Sequence, residues 1–175
     1  WPEVEPQDPR VPPITPVSEM QVWGDDGGEL RFSADEQGTD GLTWIVDVPA
    51  LEQRLADAVS YQGSIERMSE APHAALTIVC EGKRSQTREE LGLDFDVRPY
   101  PHKAVAARLH CDQPHGGIAR QWFANGEVMA LLPLGGVSGN SVALVWSVPA
   151  EQADAWLLAD PTTFTQAIQA RCAQA

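Results

Sequence analysis

Between Ile118 and Val148 the apolar residues fall into three short runs separated by turn-forming residues. The first two, Ile-Ala-Arg-Gln-Trp-Phe and Glu-Val-Met-Ala-Leu-Leu, flank Asn125-Gly126. Asn-Gly suits a tight hairpin turn, because both central positions of such a turn need positive φ. The third run, Ser-Val-Ala-Leu-Val-Trp-Ser-Val, is β-branched and aromatic, so the whole predicts a three-stranded antiparallel meander. Alternation puts Ile118, Arg120 and Trp122 on one side, and Ala119, Gln121 and Phe123 on the other. Val142, Leu144 and Trp146 share one side of the last strand. Both sides carry apolar residues. One should lie on a core and the other against a helix layer, a ligand or a second domain.

The remaining pattern supplies the surroundings. Residues 1–17 hold six of the fourteen prolines and predict an extended connector rather than a helix or central strand. Met20–Trp23 and Leu30–Phe32 flank a Gly/Asp loop and read as another hairpin, followed by a polar, irregular stretch over 33–43. Trp44–Val46 predicts a short strand. Asp47 then caps a helix to about Ser60, with Pro49 in its first turn and Leu51, Leu55, Ala58 and Val59 as its apolar stripe. Ala74–Cys80 is continuously apolar and predicts a fully buried strand, which feeds a polar loop and a short helix to Leu91. Phe95–Tyr100 and Ala104–His110 predict two more strands. Helices follow from Pro149 to about Ala159 and, behind Asp160-Pro161, to about Cys172, with Phe164 and Ile168 on one face of the last. The sum is an α+β fold, a mostly antiparallel (mixed) sheet with helices beside it.

Size and charge narrow the partners. A chain of 175 residues, 43% hydrophobic, can bury a core as one domain or two lobes. Its net charge of −13 argues against nucleic acid and anionic membrane as partners. No run approaches the roughly 18 apolar residues of a membrane span. The chain opens Trp-Pro-Glu-Val-Glu-Pro, with neither a signal peptide nor an initiator methionine, which predicts a piece of a longer protein. Cys80, Cys111 and Cys172 are odd in number and widely spaced, a poor disulfide framework that favours a reducing cytoplasm.

Few residues are arranged for chemistry. His73, His102, His110 and His115 form no metal-binding spacing and read as exposed or loop histidines, so no metal is expected. Ser85 sits in no Gly-x-Ser-x-Gly elbow, and the Gly135-Gly136 and Ser138-Gly139-Asn140 loop lacks the phosphate-loop spacing and lysine. The acidic pairs Asp25-Asp26 and Glu89-Glu90 read as solvated charges. No catalytic residue stands out. The exception is the loop after Ile78–Cys80, where Glu81, Gly82, Ser85 and Arg88 stand at fixed offsets. There a glycine permits close backbone approach and a carboxylate can accept a ribose hydroxyl.

That spacing, acid-Gly-x-x-Ser-x-x-Arg, resembles the Asp-Gly fingerprint of flavin-dependent aromatic hydroxylases, with glutamate for the usual aspartate. Further blocks resemble the ubiquinone-biosynthesis branch, of the 2-polyprenylphenol hydroxylase type. They are Pro114-His115, Ala119 to Phe123, Ala130 to Leu134 and Leu144 to Ser147, with the Met20–Trp23 hairpin and the Trp44–Leu55 strand and helix. The similarity runs over nearly all of the chain. The Gly-x-Gly-x-x-Gly start and the later Gly-Asp block of such enzymes do not occur in this sequence, so the likeness is to the middle of the enzyme.

The resemblance implies a substrate domain like that of p-hydroxybenzoate-hydroxylase-type flavoproteins. Residues 1–43 would be its connector and first hairpin, 44–95 residual flavin-domain pieces, and 96–175 its main sheet and C-terminal helices. The parent would use FAD, NAD(P)H and O2 to hydroxylate an aromatic ring, and this segment alone would bind no cofactor. Glu81, Gly82, Ser85 and Arg88 would be cofactor-binding; Gln121, Phe123, Leu132, Pro133 and Leu134 would bind substrate. An apolar wall of Leu132, Pro133 and Leu134 suits a prenylated phenol better than a small carboxylate, although ordinary core packing explains the same leucines. Expected partners are the aromatic substrate and a dimer or biosynthetic complex, in the cytoplasm or at the inner membrane through partners. Two rivals stay open: a non-catalytic interaction module using the exposed sheet face, and an unrelated α+β domain with accidental matches. The fragment reading predicts a groove lined by Trp122, Phe123 and the leucines, and the accidental one predicts that residues 78–88 form no strand, loop and helix.

Overall fold

The computed structural model describes residues 13–173 apart from 71, 94 and 137, so the predicted connector lies outside the described residues up to residue 12. Strands β1 (Ile14–Val17), β2 (Glu19–Trp23) and β3 (Glu29–Ser33) lead into a one-turn helix α1 (Ala34–Gln37). After β4 (Thr43–Val46) come α2 (Val48–Ser60), a 3-10 turn over Gly82–Arg84 and α3 (Gln86–Glu90). The second half contains β5 (His102–His110), β6 (Ile118–Ala124), β7 (Glu127–Pro133), β8 (Ser141–Pro149), α4 (Ala150–Leu158) and α5 (Pro161–Cys172). This is the α+β architecture expected from the sequence.

Six strands form one mixed sheet in the order β3-β2-β6-β7-β8-β5, and β1 pairs with β4 in a separate two-stranded ribbon. Every neighbouring pair is antiparallel except β2 and β6. The meander forms as its turn residues dictate, with Asn125 at φ 53° and Gly126 at φ 76° between β6 and β7.

Register decides which side chains meet. One row across the sheet runs Trp23, Trp122, Met129, Trp146 and Val105. These residues, with Leu144 and Val148, pack under Ala153 of α4 and Ile168 of α5 and make the core. Trp146 is wholly buried. Its ring lies 4.7 Å from Trp156 and 6.3 Å from Phe164, and the Arg171 guanidinium sits 4.1 Å above it. Its indole N–H donates to Glu127 at 2.9 Å, and the same Glu127 oxygen accepts from Arg171 at 2.8 and 3.0 Å. One carboxylate therefore fastens α5 to the hairpin. Asp160 starts α5 by accepting the Thr162 and Thr163 N–H groups, next to Pro161 in the first turn.

Four expectations need correction. Ala74–Cys80 is not a buried strand: its residues are irregular and exposed, with Leu76 at 76% and Ile78 at 74%. Phe95–Tyr100 is likewise no strand. Such a run becomes a strand only where a neighbouring strand accepts its backbone hydrogen bonds, and among the described residues neither run has one. In the other direction, the extended stretch before Ser18 ends in β1, and the polar stretch 33–43 contains α1. The predicted stripe of α2 is present, yet no residue of that helix is buried.

Candidate functional site

The second face of the large sheet points away from α4 and α5. Its register places Leu30, Val22, Gln121, Ala130, Val145 and Ala106 in one row across the strands. Beside it run Phe123, Val128, Ser147 and Ala104 in a second row, and Leu132, Ala143 and Arg108 in a third. The inner strands carry small side chains here, so the floor is shallow and apolar, with Phe123 42% exposed on it. One end is roofed by the ribbon. Asp47, 5% exposed, caps α2 through the Ala50 N–H and also pairs with Arg108, which rises from this face of β5. A carboxylate that desolvated requires such a cation and donors.

The sequence-predicted substrate residues are divided by this geometry. Gln121, Phe123 and Leu132 share the second face. Pro133, opposite Val142, alternates onto the core side and is fully buried; Leu134 just beyond it is 4% exposed. Trp122 also points to the core side, where it stacks on Trp23 with centroids 5.1 Å apart. The groove therefore cannot be lined by Trp122 and Phe123 together, since they are adjacent residues of one strand.

The four predicted cofactor residues are brought together in one loop. Gly82 has φ +73° and open space where a Cβ would stand, the room a closely approaching ligand needs. Ser85 caps α3 by accepting the Arg88 N–H at 3.1 Å. The Glu81 carboxylate accepts from Ser85 Oγ at 2.8 Å and from the Thr87 N–H at 3.1 Å, and it also accepts from the Thr87 hydroxyl. Those bonds, the Thr87 hydroxyl first, hold its pKa below the ordinary carboxylate value. Both Glu81 oxygens thus brace the loop, Oε2 through two bonds and Oε1 through one. Arg88 stands over the Phe95 ring at 4.3 Å, with its Nε buried and without a hydrogen-bond partner. With Lys83, Arg84 and Glu89, the last paired with Arg88 at 3.8 Å, it lines an open groove of about 560 Å³ that carries three cations and one carboxylate. The loop and helix predicted over 81–91 therefore exist, but the strand before them does not.

Two contacts escaped the sequence reading. Arg108 gave no signal beyond its place in an alternating strand, because its partner Asp47 is 61 residues away. His115, read as a loop histidine, bonds two backbone groups of separate connections. Its setting in Pro114-His115-Gly116-Gly117, a turn that must reach another strand, was the available signal. Among the described residues no group of side chains is arranged to hold a metal, and no helix is long and apolar enough to cross a membrane.

Comparison with known proteins adds the following. No family model matches the chain. It is 34% identical over 97 residues to the mitochondrial ubiquinone biosynthesis monooxygenase COQ6 of Danio rerio, a match covering 55% of this chain and 19% of that protein. It is 31% identical over 74 residues to the ubiquinone hydroxylase UbiL of Rhodospirillum rubrum, covering 42% of this chain and 17% of that one. The chain thus spans about a fifth of the length of the curated relatives it matches. Its fold is that of part of pqsL, a probable FAD-dependent monooxygenase from Pseudomonas aeruginosa, with a TM-score of 0.68 at 16% identity over 83% of this chain and 46% of that one. Sequence and fold point the same way: the chain is similar to parts of a ubiquinone biosynthesis monooxygenase and of a ubiquinone hydroxylase, and it shares the fold of part of a probable FAD-dependent monooxygenase.

Proposed function

We propose that this chain is the substrate-domain segment of a longer FAD-dependent monooxygenase that hydroxylates an aromatic ring, a prenylated phenol of ubiquinone biosynthesis, using NAD(P)H and O2. The observation that carries the reading is the second sheet face, a shallow apolar floor left exposed in a chain related to ubiquinone hydroxylases. The flavin, when bound, supplies the activation of O2 and the transfer of one oxygen. What this chain supplies is the surface that orients the ring and keeps water from it. Ala130, Ala143 and Ala106 surround Val145 and leave room for a planar ring to lie over it, with Phe123 in the next row at one edge. Gln121 is the polar group in the middle row, placed to bond a phenol oxygen. Leu132 on the same face suits a prenyl tail, whereas a substrate carboxylate there would lose its hydration without a partner.

In this reading residues 44–95 belong to the flavin-binding part, and 1–43 with 96–175 to the substrate part. Gly82 and the Lys83, Arg84 and Arg88 groove would face the FAD or NAD(P)H phosphates. The segment alone would hold neither cofactor, because this loop stands on exposed, irregular chain. A dimer or biosynthetic complex, in the cytoplasm or at the inner membrane through partners, completes the proposal. The test is the visible spectrum of the polypeptide extended at both ends, recorded before and after adding a prenylated phenol. Flavin bands that shift with the phenol, followed by NAD(P)H- and O2-dependent hydroxylation, are expected. A colourless extended protein would sink this reading and leave the exposed face to an interaction module.

A further inference from the structure

We propose that His115 is a positioning residue that fixes the Leu134 end of the substrate face; the inference rests on the function proposed above. His115 is half-buried in the connection between β5 and β6. Its Nδ1 accepts the Gly117 N–H at 3.0 Å, and its Nε2 lies 3.0 Å from the Leu134 carbonyl oxygen. A backbone N–H only donates, so Nδ1 carries no proton. The neutral ring then holds its proton on Nε2 and donates it to the carbonyl. The imidazole is therefore a rigid strut between two backbone groups.

Three connections converge on this strut. The His115 N–H donates to the Gly139 carbonyl at 2.8 Å, in the loop between β7 and β8. The Leu134 N–H donates to the Ser141 carbonyl at 2.9 Å, which closes the same loop. From the junction of β1 and β2, the Ser18 N–H donates to the Gly117 carbonyl at 3.0 Å. The approach is tight: Gly117 has φ +73°, and a Cβ there would stand 3.0 Å from Ser18 Oγ. Pro133 and Leu134 are buried while Leu132 faces the floor, so the carbonyl that His115 grips marks where β7 leaves the sheet. Moving it moves the presentation of Leu132.

Asparagine places an amide oxygen roughly where Nδ1 lies, and glutamine an amide nitrogen roughly where Nε2 lies, so each keeps one half of the strut. The experiment compares the wild-type extended polypeptide with its His115→Asn and His115→Gln variants in melting temperature and in steady-state hydroxylation of a prenylated phenol. Both variants should melt lower by similar amounts. His115→Asn should raise KM about tenfold with kcat within about twofold, and His115→Gln should keep KM within about twofold. A nitrogen-15 spectrum of this chain should show the Nε2–H tautomer. An equal rise of KM in both variants, or an Nδ1–H tautomer, overturns the proposal and leaves the reading of the site standing. A wild-type polypeptide without flavin-dependent hydroxylation overturns that reading, and this proposal with it.

Discussion

The sheet with its two covering helices and the stretch from Tyr61 to Tyr100 both contain strongly apolar runs, yet these end in opposite states. In the first, Val105, Met129, Leu144, Trp146 and Val148 are buried to within a few per cent. In the second, Leu76, Ile78, Leu91, Leu93 and Val97 are all more than half exposed, and among its described residues only Ser85 is buried. Composition does not separate the Ala74–Cys80 run from the strands of the meander, since six of its seven residues are apolar. Neighbours do: each strand of the meander finds a partner within a few residues, whereas among the described residues the Ala74–Cys80 run has no strand beside it. A local topology completes itself, and a long-range one needs the rest of its sheet.

That contrast sets the size of mutational effects. Trp146→Ala should cost about 3–5 kcal/mol in chemical denaturation, since it empties the centre of the core. Ile78→Ala, equally apolar but exposed, should stay within about 0.5 kcal/mol. Equal losses at the two sites would erase the distinction. Glu127→Ala comes next, at about 2–3 kcal/mol, because it leaves the Trp146 N–H and the Arg171 guanidinium without their shared acceptor. Restoring an acceptor with Glu127→Gln should recover part of that loss.

The smallest effect tests the braced loop. The pKa of Glu81 is depressed in the folded loop, so its contribution is fully present above the ordinary carboxylate value. It is lost as pH falls through the depressed value. The protection of the Thr87 amide, its exchange rate taken relative to the intrinsic rate at each pH, should therefore fall in acid while that of neighbouring exposed amides stays level, and Glu81→Gln should weaken that dependence. An unchanged profile in the variant would mean that the carboxylate does not brace the loop.

The sequence reading went furthest where the determinants were local. Asn125-Gly126 announced the hairpin, Asp47 with Pro49 and Asp160 with Pro161 announced two helix starts, and alternation separated Trp146 from Val145. It failed where the determinant lay outside the segment. Ala74–Cys80 has the composition of a central strand, but composition cannot say whether adjacent strands are present. The site was half legible for the same reason. Gln121, Phe123 and Leu132 were chosen from a motif and do share a face, but Pro133 alternates away from them as any next residue in a strand must. Glu81 was given a ligand role, and its loop partners were invisible because Ser85 and Thr87 meet it only after the turn closes. The role of His115 is geometric, two bonds to backbone groups rather than a motif, and so leaves no signature in the sequence beyond its turn.

The most direct test of the account is amide hydrogen exchange over residues 74–100, measured in this chain and in the polypeptide extended at both ends. The account predicts fast exchange across the Ala74–Cys80 run here and strong protection of the same amides in the extended polypeptide, where strands would flank them. Equal, fast exchange in both would contradict the claim that this chain is one part of a larger flavin-dependent hydroxylase.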